Sequence, residues 1–351
     1  MENSKYEYYV SGIASSLYPT EVMFGLLWTS EDNSVNIPMK YPFSGEWGTI
    51  LSTDLLLENT HPIPQKISIL WLSIVEKKFY LLEDVLPKSE IEKLWNKKDE
   101  NGDFLFTHIV VGMAMYGKLA IWLRGPKKSL NEAWLKADEI DLDINDILSL
   151  HKRLSIEEYC NRYLEQCEKA KENLKSNGLP ASSLFERKMS QFTYRYVCSF
   201  LRWNEDDLKW MRYEETELQP TFDFIQEALI DGTHDKLHDG SLLKYHTAGK
   251  PDKISFAWHV KKSDFVAYFW FDEYEMSKFF QKVYGMNSDL KTDFIIRVDF
   301  EKKKFEISLY RYGMENPCVL PESVYQYIIF KSKMEYCKSD NYNQVTGAWI
   351  W

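Results

Sequence analysis

The chain is expected to fold as an α+β protein with two related ββαββ sheet-containing halves bridged by a helical insert. Three observations carry that expectation. The segment Lys66 to Leu123 is matched, element for element, by Lys253 to Leu309. Between them lies a stretch with helical periodicity and a helix-start signature. The 351 residues, 44% hydrophobic and 27% charged, have the composition of a folded protein large enough for more than one core.

Taken in order, Glu21 to Thr29 and Ser34 to Ile37 read as strands about a Ser-Glu-Asp-Asn turn, in a region punctuated by Pro19, Pro38, Pro42, Pro62 and Pro64. The first copy then opens with KISILWLS and the second with KISFAWHV; both share Lys-Ile-Ser and a Trp five positions after the Lys. KFYLLED and DFVAYFWF follow as second strands, rich in aromatic and branched residues.

Each copy next turns helical. Ile91, Leu94 and Trp95 in the first, and Met276, Phe279, Phe280 and Val283 in the second, fall on one helical face. Asp272 with Glu275 has the pattern of a capping box. Two further strands close each copy: FTHIVVGM and KLAIWLRG, against DFIIRVDF and KFEISLYRYG. The glycines of VGMAMYG belong to a hairpin turn.

Between the copies, Pro126 to Asn145 is acidic and poorly patterned and reads as a surface linker. Ser155 and Glu158 predict a capped helix with Ile156, Tyr159, Cys160, Tyr163, Leu164 and Cys167 on its apolar stripe. A second helix is expected from Ser183 and Glu186 through Phe192, Val197 and Leu201, a third from Thr221 to before Gly232, and a proline-started one over Val319 to Met334. The predicted organisation is an N-terminal sheet domain over 1–125 (first copy 66–124), a mainly helical insert over 126–250, and a C-terminal sheet domain over 251–351 (second copy 253–313) with a terminal helix.

The net charge of −10 disfavours nucleic acid as a partner, because the field of the chain repels phosphate, and makes a basic protein the easier one. Aromatic residues reach an unusually rich 15%; core packing is the ordinary use of such side chains, and exposed Trp and Tyr are also efficient anchors in protein contacts. Trp203, Asp206, Asp207, Trp210 and Tyr213 form a candidate acidic and aromatic contact patch. His234 and His238 are a weak candidate metal pair; they lie in a polar segment between Gly232 and Gly240 that lacks the Glu of HExxH and reads as a loop, so no metal is assigned. There is no nucleophile elbow and no phosphate loop, no catalytic residue is assigned, and no cofactor is expected.

The N-terminus lacks the basic start and apolar stretch of a signal peptide, and no segment has 18 consecutive apolar residues, so no membrane association is expected. Five cysteines without a CxxC pair fit a reducing, cytoplasmic setting.

The stretch KISILWLSIVEKKFY, followed by FTHIVVGMAMYGKLAIWLRG, resembles a family of bacterial proteins known as a domain of unknown function, over about residues 10 to 125. The motif residues are Trp71, Ser73, Glu76, Phe79, Tyr80, Trp122, Leu123 and Gly125. The resemblance implies genes that sometimes lie near contact-dependent secretion clusters, and implies no catalytic residues. With the charge and the aromatic excess, it leads to a non-catalytic, protein-binding protein, an immunity or antitoxin-like partner that neutralises a basic bacterial toxin. The alternatives are an enzyme or small-ligand-binding protein with a site between the two sheet halves, and a structural or assembly protein.

Overall fold

The computed structural model describes residues 5–339 except 39–44, 46, 51–59, 100, 127, 149–152, 183–189, 205, 207–208, 212–220, 230, 239–243, 261–262, 286, 300–303 and 333. The chain is α+β and forms two compact units, Met1–Glu186 and Arg187–Trp351.

Unit 1 begins with β1 (Tyr6–Glu7), β2 (Tyr9–Ile13), β3 (Thr20–Trp28), β4 (Ser34–Asn36), β5 (Thr60–His61), β6 (Lys66–Ser73) and β7 (Lys78–Val85). It continues with α1 (Lys88–Trp95), β8 (His108–Met113), β9 (Lys118–Arg124), β10 (Ser129–Lys136), β11 (Asp138–Ile140), α2 (Ile144–Ile147), α3 (Ile156–Gln166) and α4 (Glu168–Asn177). One antiparallel set runs β11-β7-β6-β3-β4. A second runs β2-β8-β9-β10, with β2 parallel to β8.

The two sets share one core because their strands alternate, sending Ile67, Ile69 and Trp71 from β6 and Ile109, Val111 and Met113 from β8 to the same interior. Helix α1 adds Ile91 and Trp95, four residues apart and so on one face, whose burial contributes roughly 3–6 kcal/mol of transfer free energy together. Helix α3 starts at a complete capping box: Glu158 N–H donates to Ser155 Oγ (3.2 Å) and Ser155 N–H to Glu158 Oε2 (2.9 Å). Its stripe packs Cys160 with Leu72, Ile74 and Phe79 on the outer face of the first set.

Unit 2 contains β12 (Phe192–Phe200), β13 (Arg202–Asn204), β14 (Lys209–Met211), β15 (Thr221–Leu229), β16 (His234–His238), β17 (His246–Ala248), β18 (Pro251–Val260) and β19 (Ser263–Phe271). After α5 (Glu273–Tyr284) come β20 (Thr292–Asp299), β21 (Lys304–Arg311), β22 (Cys318–Val319), β23 (Tyr325–Lys331) and β24 (Met334–Lys338). One set runs β16-β15-β18-β19-β23-β24; the other runs β17-β12-β20-β21-β22, with β12 parallel to β20. Asp272 Oδ1 accepts from Glu275 N–H and caps α5, whose Met276, Phe279, Phe280 and Val283 are buried in a core dense in aromatic rings.

Several expected helices are strands. The segments Phe192–Phe200 and Thr221–Leu229 are β12 and β15, and Val319 to Met334 holds a short 3₁₀ turn at Glu322–Val324 followed by β23. Aromatic and β-branched residues favour a pleated surface once a facing strand exists, and that partner is supplied by distant chain. The insert over 126–250 is therefore helical only in α2, α3 and α4, which belong to unit 1, and the 126–145 linker is largely β10 and β11. The helix start at Ser183 and Glu186 lies outside the described residues.

Candidate functional site

The acidic and aromatic patch is met in part. Trp203 and Trp210 are cross-strand partners in the backbone register of the β13–β14 hairpin, and Asp206 is exposed at its turn. Asp207 and Tyr213 lie outside the described residues. His234 and His238 correct the loop reading, since both belong to strand β16. Among the described residues, no group of three or more His, Cys, Asp or Glu is placed to hold a metal.

The motif residues of unit 1 hold a backbone turn together. Glu76 accepts from the Tyr80 hydroxyl (Oε1, 2.9 Å) and from the Tyr116 N–H (Oε2, 3.0 Å). Tyr116 has φ of 59°, a left-handed conformation that a non-glycine residue adopts at a cost, and Gly117 follows at 65°. A Cβ at Gly117 would lie 2.8 Å from the Ala137 carbonyl, so that position needs glycine on two counts. Trp71 packs on Tyr80 with ring centroids 5.6 Å apart. Burial first, then the Glu76 charge, pushes the Tyr80 hydroxyl well above its ordinary range. Trp122 lies over Gly112, and a Cβ at Gly125 would run into the Leu105 carbonyl. The motif thus encodes packing and a turn.

An uncovered surface lies on the outer face of the β11-β7-β6-β3-β4 set. Cross-strand register places Phe24 opposite Leu70 and Leu70 opposite Leu81, beside the area that α2 and α3 cover. Phe24 is 42% exposed and Leu81 37%, and Val85 at the end of β7 is 75% exposed. Glu83, two residues beyond Leu81 on the same strand face, and Asp138, the cross-strand partner of Leu81, are exposed around this apolar row. Glu83 also meets Lys66 at 3.3 Å, a pair screened by solvent. Beyond α3's first turn, a cleft of about 490 Å³ is lined by Lys77, Lys78, Phe79, Glu139 and Asp141. Its lysines are engaged, Lys77 by Glu157 and Lys78 by Glu139, each at 2.8 Å.

Unit 2 carries a second unusual constellation, buried. Glu227 occupies a core position of β15 between Ile225 and Leu229 and is 1% exposed. The Tyr196 hydroxyl donates to its carboxylate, the Tyr194 hydroxyl approaches at 3.4 Å, and His246 Nε2 stands 3.7 Å away, within ion-pair range. Burial opposes a charge on His246, but the Glu227 carboxylate, a backbone hydrogen bond at Lys244 and the Asp235 charge outweigh it and raise its pKa. Nearby, buried Asp231 accepts from the Thr233 N–H (3.0 Å) and hydroxyl (2.6 Å). Burial still raises its pKa against these bonds and the Lys250 charge. Burial also lifts both tyrosine hydroxyls far above their ordinary range. Sequence reasoning missed this cluster because Glu227 breaks the apolar alternation of its strand.

An α+β protein with a packed motif in its first unit and an open apolar face beside a helix pair is the class these features define. Residues 1–182 match the family model described as "Protein of unknown function (DUF2931)", and the chain belongs to that family. The match runs through α2 to α4 and ends close to the boundary between the units. No curated protein matches the chain, and no solved structure matches it. Among the described residues, no helix is long and apolar enough to cross a membrane.

Proposed function

We propose that the chain is a non-catalytic binding protein that docks a basic protein partner on the outer sheet face of unit 1, in the manner of an immunity or antitoxin-like protein. The observation that carries this reading is the row of exposed Phe24, half-buried Leu70 and exposed Leu81, rimmed by Glu83 and Asp138. Apolar side chains grouped on one face are what a partner's apolar projection buries, and the acidic rim with a net charge of −10 favours a cationic partner through steering. The test is parallel capture from the native cell with the wild type and with Phe24→Asp/Leu81→Asp, which alters only exposed positions. A basic protein held by the wild type, released as salt rises, lost by the variant and neutralised only by the wild type on co-expression supports the reading. Equal retention of the same proteins by both chains overturns it.

We further infer that the two units are copies of one hairpin–helix–hairpin module. Each has a strand parallel to the first strand after its helix, β2 on β8 and β12 on β20. The Tyr8 hydroxyl donates to the Pro62 carbonyl and the Tyr194 hydroxyl to the Gly249 carbonyl, both at 2.9 Å. Pro62 and Gly249 stand equally far ahead of Lys66 and Lys253, which open the shared Lys-Ile-Ser. Each tyrosine ring meets an aromatic ring of its unit's helix edge-on, Trp95 at 5.5 Å and Phe280 at 5.9 Å. Two unrelated sheets would have no reason to repeat a tie at the same offset.

A further inference from the structure

The duplicated module supplies an internal comparison for the buried cluster of unit 2. Ile67 and Ile254 are the central residues of the two Lys-Ile-Ser motifs; Ile67 pairs across the sheet with Leu27, and Ile254 with Glu227. Two residues beyond the tying tyrosines stand Val10 in unit 1 and Tyr196 in unit 2. Val10 and Leu27 are ordinary buried core residues. Unit 1 therefore builds its core at these positions from an apolar pair, and unit 2 places a hydrogen-bonded Tyr196–Glu227 pair there. Burying a carboxylate carries a desolvation cost that an aliphatic pair avoids. Packing alone gives no reason for it.

The group that makes the pair useful is His246. It begins β17, a three-residue strand joined to β12 by the pairs Tyr194–His246, Thr193–Thr247 and Phe192–Ala248. The imidazole packs at a tilt against Tyr194 (4.8 Å between ring centroids) and Tyr196 (6.2 Å), and its Nε2 stands 3.7 Å from Glu227, while its side chain remains 27% exposed. His246 is open to solvent; Glu227 is closed off from it.

We propose that Glu227, Tyr196 and His246 form a proton-operated latch that holds β17 against β12 when His246 is protonated and loosens it when His246 is neutral. The ionisable groups around the imidazole are Glu227 on β15, Tyr194 and Tyr196 on β12 and Asp235 on β16, with Asp231 and Lys250 adding opposite charges beyond Glu227. The carboxylates favour the imidazolium, and the buried carboxylate gains a counter-charge from the protonated ring. The sign follows from a folded value raised above the unfolded one: the contribution is complete below the ordinary histidine range and is lost as pH rises through the raised value. The comparison with Val10 and Leu27 rests on the two-copy reading; the latch geometry does not, and neither needs a binding partner.

The test is an NMR titration of His246 in the full chain, with hydrogen exchange of β17 amides from pH 5.5 to 8.5. Wild type is expected to titrate above an ordinary histidine and to lose β17 protection several-fold across that raised value, after correction for intrinsic exchange. Glu227→Gln, which keeps the shape and an acceptor for Tyr196, should lower the His246 midpoint and flatten the protection profile. Tyr196→Val/Glu227→Leu, which installs the apolar pair of unit 1, should fold and show no pH-linked protection. A wild-type His246 midpoint at or below the ordinary value, or a protection profile unchanged by Glu227→Gln, overturns the latch. Failure of Tyr196→Val/Glu227→Leu to fold alone, with the wild-type titration as expected, counts against the two-copy reading and leaves the latch standing.

Discussion

Replacing Glu76 by Ala removes both acceptors that hold the left-handed turn of unit 1. The buried Tyr80 hydroxyl and the half-buried Tyr116 N–H are left without the carboxylate they donate to at 2.9 and 3.0 Å. An orphaned buried donor costs about 1–3 kcal/mol, so the pair is expected to cost about 3 kcal/mol, the Tyr116 amide contributing less because water can reach it. The positive φ of Tyr116 adds to the loss, since the bond that is removed helps hold the turn in that conformation, beside the Ala137 N–H on the Gly117 carbonyl. For a unit of this size each kcal/mol moves the melting temperature by roughly 2–4 °C, which places the expected drop at about 6–12 °C. Calorimetry measures it, and hydrogen exchange of peptides spanning Tyr80 and Tyr116 assigns the transition to unit 1. Glu76→Gln keeps an acceptor oxygen and loses only charge assistance, so about 1 kcal/mol is expected. A melting temperature for Glu76→Ala within about 2 °C of wild type would refute the claim that this carboxylate organises the turn.

Two further outcomes follow from burial. Tyr8→Phe and Tyr194→Phe each leave a carbonyl, Pro62 or Gly249, without its donor, and each should cost about 1 kcal/mol in urea unfolding; a neutral result at either removes a support of the two-copy reading. The Cys160 thiol, pushed up to about 12 by burial against Leu72 and Phe79, should resist alkylation in the native chain at pH 8 and react after unfolding. Native labelling of Cys160 would show that the α3 stripe is not closed over the sheet.

Local chemistry was enough to read the α+β class, the hairpins of both units and the helices α1, α3 and α5. A capping box at Ser155, an Asp cap at Asp272 and alternating Ile and aromatic residues act over a few bonds and leave their signature in adjacent positions. The resemblance to a domain of unknown function was likewise visible in Trp71, Glu76 and Tyr80, because those residues are close in sequence as well as in space. What the sequence could not disclose is where distant segments supply a partner. Phe222, Ile225 and Leu229 fall at helical spacing, and pairing with β16 and β18 makes that segment a strand, with Glu227 turned into the core. Glu227, Tyr196 and His246 come from three strands, and Phe24, Leu70 and Leu81 from three others; nothing in a linear pattern brings either set together. Tertiary structure decided both, because a side chain's solvation depends on what folds over it, and that is a property of the whole sheet rather than of any one segment.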